Sequence, residues 1–195
     1  MMKRLLFVTI CLWGFTLFAN AQEQVKFKLK PDATFVAPDG SSYAVIEYKD
    51  KTAEELYAMV KSNVMTLYKS PKSVMSENPN ASIAIRAYSD SVGSKTISFL
   101  PRVFAGYYNL VFRFKDGKIR VDVPVIDNNL TDRDNLLDSQ HIPSFKILVK
   151  GYYKDGKPKD KAHAYIMMTE QCVNLPINYL LGLIKTKTND TNDDW

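Results

Sequence analysis

The stretch Leu110-Val-Phe-Arg-Phe-Lys-Asp-Gly-Lys-Ile-Arg-Val constrains the fold more than any other part of the chain. Apolar and polar residues alternate on both sides of Asp116-Gly117, which predicts two antiparallel strands over residues 107–115 and 118–126. A two-residue turn with positive φ at both central positions joins them. That turn sets Phe114 against Ile119, Phe112 against Val121, Leu110 against Val123 and Tyr108 against Val125, and every pair is apolar. A bulge at Gly117 sets Phe114 against Lys118 instead, so the tight turn is preferred. One face of the hairpin is therefore apolar. The other carries Tyr107, Asn109, Val111, Arg113, Lys118, Arg120 and Asp122.

A hairpin of this kind is stable only when its apolar face is covered. Residues 43–49 alternate with Ala44, Ile46 and Tyr48 on one side and predict a further strand. Thr52-x-x-Glu55 is a capping box before Leu56, Met59, Val60, Val64 and Leu67, an apolar stripe at helical spacing over residues 53–68. Residues 69–81 contain Pro71 and Pro79 and read as a loop. Residues 82–88 place Ile83, Ile85 and Ala87 on one face of a strand, and residues 95–100 read as a separate, weaker one before Pro101. Residues 127–143 read as a polar loop with a helical turn near Leu136. Residues 145–150 and 162–168 read as short strands flanking a charged turn over 154–161. Asn174 is placed to cap a last helix with Pro176 in its first turn, and Ile177, Leu180, Leu181 and Ile184 form its apolar stripe. With 10 Phe and 11 Tyr among 195 residues there is material for one core, and two helices on one face of an antiparallel sheet make an α+β domain.

Residues 1–21 carry an address. Lys3 and Arg4 precede the apolar run 5–18, and Ala19-Asn20-Ala21 is the small-x-small pattern of signal peptidase, with cleavage before Gln22. The run is shorter than the roughly 20 apolar residues of a membrane span. The chain is expected to be exported, periplasmic or extracellular, and not integral to a membrane after cleavage. Of the formal net charge of +5, the removed segment holds Lys3 and Arg4 and no acid, which leaves +3. That balance and export argue against nucleic acid as the partner. Only Cys172 remains after cleavage, so no internal disulfide is expected. The expected organisation is a signal peptide over 1–21, a lead-in over 22–42, one domain over 43–186 and a polar tail over 187–195.

Tyr43-Ala-Val-Ile-Glu-Tyr, Thr52-Ala-Glu-Glu-Leu-Tyr and the 110–121 hairpin together resemble a family of exported Bacteroidetes-type proteins, a domain of unknown function with a TATA-binding-protein-like (TBP-like) fold. The resemblance covers residues 43–126. It implies a β-α-β(4)-α domain with a curved antiparallel sheet and two helices on one face. It implies no established activity and no site residues, and the fold name does not imply DNA binding.

Catalytic signatures are sparse. His141 and His163 are the only histidines, and neither has a His or Cys at ligand spacing. Cys172 with His163 is a conceivable thiol–imidazole pair without a local motif. Asp127, Asn129, Thr131, Asn135 and Asp138 fall at calcium-loop positions, yet Asp132 stands where that loop needs glycine. No cofactor or metal is expected. The outward sheet face is the more informative feature. Arg86 and Tyr88 join Tyr107, Arg113 and Arg120 there, and Arg113 stands directly opposite Arg120, a like-charge pair that Asp122 on the diagonal or an acidic partner would relieve. A solvated face with Arg stems over neighbouring rings has the same composition. The expected function is a non-catalytic binding domain of the cell envelope that meets an envelope protein or an acidic envelope component through this face. The alternatives are a carrier of a small apolar ligand or lipid between helices and sheet, and a hydrolase built on Cys172 or the 127–138 loop.

Overall fold

A computed structural model describes residues 24–134, 137 and 139–184. The expected signal segment, the turn near Leu136 and the polar tail lie outside them. The chain begins with a short antiparallel pair, β1 (Lys28–Leu29) and β2 (Phe35–Val36). Strand β3 (Tyr43–Glu47) and helix α1 (Ala53–Leu67) follow as the sequence predicts. Both halves of the capping box are present: the Thr52 hydroxyl accepts from the Glu55 amide and the Glu55 carboxylate accepts from the Thr52 amide. Residues 69–81 are not a plain loop. They form a turn of helix, α2 (Pro71–Val74), opened by a proline at its first position, and an edge strand, β4 (Met75–Asn78).

Two 16-residue strands dominate the sheet, β5 (Ser82–Ile97) and β6 (Leu100–Lys115), followed by β7 (Lys118–Asp122) and β8 (Val125–Asp132). The expected separate strand over 95–100 is the far end of β5, which continues through an irregularity between Ser89 and Gly93. Sheet order is β3-β7-β6-β5-β4, and β8 continues along β6 beyond β7. All of these pairings are antiparallel.

The central hairpin keeps the expected partners Phe112–Val121 and Phe114–Ile119. Beyond Asp122 the expectation fails: Tyr108 faces Ile126 and Asn109 faces Val125. The Val123-Pro124 step interrupts the ladder, since proline has no N–H to give, and the register slips by one residue. A slip of one exchanges the faces. Ile126 is accordingly 7% exposed and Val125 56% exposed. The Asp116-Gly117 turn also differs from expectation, with positive φ only at Gly117. Asp116 is instead engaged by the helix, its carboxylate accepting from the Ala53 amide at 2.8 Å. Positive φ at both central residues occurs at Ser98 and Phe99, between β5 and β6, where no glycine announces it.

The C-terminal part departs furthest from expectation. Residues 145–150 are a helix, α3 (Phe145–Lys150), not a strand. Phe145, Leu148 and Val149 are buried at helical spacing while Ile147 is exposed, and Ser144 caps the start. A small hairpin, β9 (Tyr153–Lys154) with β10 (Lys157–Pro158), leads to a 3₁₀ turn. The last helix, α4 (His163–Leu180), absorbs the expected strand over 162–168 and places Asn174 and Pro176 in its interior. Its start has no side-chain cap, so the usual signal of a helix N-terminus is missing from the sequence.

Helices α1 and α4 pack together and on the same face of the sheet. Ile83 and Ile85 of β5, Leu110, Phe112 and Phe114 of β6, and Ile119 and Val121 of β7 meet Leu56, Val60, Val64, Val173 and Ile177 in one core. Each such side chain contributes about 1.5–3 kcal/mol by leaving water. The segment expected as a lead-in belongs to this core, with Val25, Phe27, Leu29, Phe35 and Ala37 all buried.

The backbone of that segment is held by side chains of α4. Asn178 accepts from the Val25 amide and donates to its carbonyl, both at 2.8 Å, and Asn174 does the same for Phe27 at 2.9 Å. Glu170 accepts from the Leu29 amide at 3.0 Å. Four helical residues rise about 6 Å. Two extended residues span about 6.6 Å. Residues 170, 174 and 178 therefore keep step with 29, 27 and 25, and α4 acts as a substitute strand for the chain beside it.

Candidate binding face

With the helices on one side, the other side of the sheet is open. Direct partners share a face, so the register assembles it: Tyr88 against Tyr107, Arg86 against Asn109, Ala84 against Val111, Ser82 against Arg113, Arg113 against Arg120, and Lys115 against Lys118. Strand β3 adds Tyr43 beside Asp122 and Val45 beside Arg120. The five residues singled out from the sequence, Arg86, Tyr88, Tyr107, Arg113 and Arg120, all stand on this face and are all exposed.

They form two clusters. At the β5–β8 end the Tyr88 and Tyr107 rings meet edge to face at 5.2 Å, and the Arg86 guanidinium lies 4.0 Å from the Tyr107 ring centre. Arg86 Nη2 is paired with Asp127, whose other oxygen accepts from Asn109 at 2.9 Å. The Tyr88 hydroxyl is 3.0 Å from Thr131 Oγ1. This cluster is neutralised and tied together across three strands.

The β3–β7 end differs. Arg113 and Arg120 both donate from Nε to Asp122, at 3.0 Å and 2.7 Å, and Arg120 covers the Tyr43 ring at 4.2 Å. Asp122 relieves the Arg–Arg opposition, as the sequence allowed. The next outward pair along the hairpin is again two cations, Lys115 and Lys118. Like charges directly opposed cost a fraction of about 1 kcal/mol per pair. A concavity of about 560 Å³ lies here, lined by Tyr43, Val45, Ser82, Arg113, Lys115, Lys118 and Arg120 among others, and no carboxylate lines it.

Sequence reasoning missed Asp127 and Tyr43. The spacing of Asp127 suggests a calcium loop, whereas residues 127–132 belong to β8, whose extended backbone spreads Asp127 and Thr131 about 13 Å apart. Asp127 serves Arg86 and Asn109, Asn128 accepts from the Lys146 amide at 3.1 Å, and Asp132 is buried and accepts from the Leu137 amide. Asn135 and Asp138 lie outside the described residues. The only available signal for Tyr43 was its outward place in the alternation of β3.

The helix side holds a larger cavity of about 900 Å³ between the end of α1, α4 and β5, lined by Tyr68, Tyr108, Cys172, Leu175 and Tyr179 among others. The Tyr68 and Tyr108 hydroxyls are 3.0 Å apart, and burial pushes both above the ordinary tyrosine value. Burial also pushes the Cys172 thiol up, which disfavours the thiolate. His163 and Cys172 stand nine residues apart on α4, about 13 Å along its axis, so they form no pair.

No family model and no curated protein matches the chain. Two solved structures are similar to it. One is a TBP-like protein from Parabacteroides distasonis ATCC 8503, 8% identical, covering 72% of this chain and 89% of its own with a TM-score of 0.46. The other is a DUF4468 family protein from Bacteroides ovatus ATCC 8483, 11% identical, covering 87% of this chain and 95% of its own with a TM-score of 0.48. The chain itself is α+β with an antiparallel sheet and both long helices on one face. Among the described residues, no helix is long and apolar enough to cross a membrane.

Proposed function

We propose that this chain is an exported, non-catalytic binding domain of the cell envelope, and that its open Tyr/Arg face engages an acidic partner. The supporting observation is the β3–β7 end of that face. Two like-charged pairs, Arg113/Arg120 and Lys115/Lys118, are kept side by side and exposed, with one carboxylate between the arginines. Folding gains little from that arrangement, whereas charge complementarity to a partner gains from it. Capture by crosslinking from envelope extract tests it, comparing the natural chain with Arg113→Glu plus Arg120→Glu. A partner held by the natural chain and lost from the variant supports the face. Equal capture by both, and by Arg86→Glu as well, removes it.

The cavity between helices and sheet favours a second function, carriage of a small apolar ligand against Leu175, Pro176 and the Tyr68–Tyr108 pair. Native mass spectrometry of the purified protein tests it. A copurified apolar molecule supports the carrier, and its absence counts against it.

A further inference from the structure

We infer that the acidic partner is recognised through a doubly charged phosphate group seated in the concavity of Arg113, Lys115, Lys118 and Arg120. This rests on the proposed use of the open face and narrows it to one end and one chemistry.

Charge decides the end. Arg86 already has a carboxylate at its Nη2 and a ring beneath it, so the β5–β8 cluster offers an incoming anion little. The β3–β7 end has four cations. Asp122 offsets one of them, and Glu47, facing Lys118 from β3, offsets a second, which leaves two positive charges. A phosphate monoester near neutral pH carries about that charge in the opposite sense.

Geometry decides the chemistry. Both arginines bind Asp122 through Nε, so neither spends its paired Nη edge there, the fork that fits tetrahedral and planar oxyanions. The two lysines are one strand repeat further on, about 6.6 Å, and act as point charges for the same group or a neighbouring one. A single carboxylate is the poorer match, because Asp122 already fills that role. Tyr43 and Val45 provide an apolar wall for whatever carries the phosphate.

The test is an amide chemical-shift titration of the purified chain with inorganic phosphate at low salt, with acetate as the single-charge control. Saturable shifts centred on Arg113, Lys115, Lys118 and Arg120 are expected, with affinity falling as salt rises. Arg113→Gln plus Arg120→Gln is expected to weaken binding by about tenfold or more. Lys157→Gln, an exposed cation of β10 outside the open sheet, is expected to leave it within about twofold. Amide dispersion in each variant reports the fold. Vesicles containing phosphatidic acid, at equal phosphate, separate the sources: binding to them places the phosphate on a lipid headgroup, and inorganic phosphate binding without vesicle binding places it on a soluble molecule. Three results overturn the inference: no saturation by about 10 mM inorganic phosphate, shifts centred on Arg86 and Tyr107, or equal shifts with acetate. Failure of the face itself is distinct. If envelope capture survives the Arg113/Arg120 change but is lost in Arg86→Glu, the face stands and the phosphate seat falls. If all these changes leave capture intact, the face falls as well.

Discussion

The two sides of the sheet put similar polar side chains to opposite uses. On the helix side Asn174 and Asn178 are turned wholly to backbone: every hydrogen bond they make to residues 25 and 27 satisfies a group that the core removes from water. On the open side Arg113, Arg120 and Asp122 satisfy one another in solvent, where the net gain is small. The difference separates residues that hold the fold from residues the fold merely presents.

Breaking the helix side should have the largest effects. Phe27→Ala is expected to cost about 3–5 kcal/mol in urea denaturation, because the ring is fully buried in the core. A cost under about 1 kcal/mol would show that residues 24–29 are an attachment and not core. Asn178→Ala follows, at about 2–4 kcal/mol, since it strands the Val25 amide and carbonyl away from water.

Next in size is an alkaline transition. Burial raises Tyr48 and Tyr152 to about 12, well above the value near 10 of an unfolded tyrosine. The neutral phenols therefore stabilise the fold fully below pH 10, and that stability is lost as pH rises from 10 towards 12. The Tyr152 hydroxyl donates to the Ser94 carbonyl at 2.8 Å and accepts from its amide at 3.1 Å. Tyr152→Phe should lower stability at pH 7 and flatten its decline between pH 10 and 12, measured by denaturation at stepped pH. Smallest is Asp122→Asn, expected to cost under about 1 kcal/mol and less still in high salt. A salt-independent loss of several kcal/mol would make the open face structural after all.

The sequence made the same division visible only in part. Over β3, α1 and the facing strands of the central hairpin the local rules agree with the fold. The capping box opens α1, alternation sets the faces, and Phe112 and Phe114 meet their expected partners. All five outward residues of the expected site share the open face for that reason. Past Asp122 the rules conflict. The Val121-Val123-Val125 alternation asks for one register, and Pro124 breaks it, so Ile126 turns inward instead. Phe145-Lys-Ile-Leu-Val-Lys is short enough to suit strand or helix, and burial of Phe145, Leu148 and Val149 decides. Helix α4 lacks a starting cap, and its Asn174 resembles a cap while serving Phe27 from 147 residues away. Such long-range pairing leaves no local trace, and the same is true of Asp127 beneath Arg86.

The most direct measurement is made on one variant, Arg113→Glu plus Arg120→Glu, by following stability and envelope capture in parallel. If the open face is for binding, the urea midpoint stays within about 1 kcal/mol of the natural chain while the captured partner disappears. A variant that unfolds contradicts the division of labour between the two sides of the sheet, and so does one that keeps its partner when Arg86→Glu keeps it too.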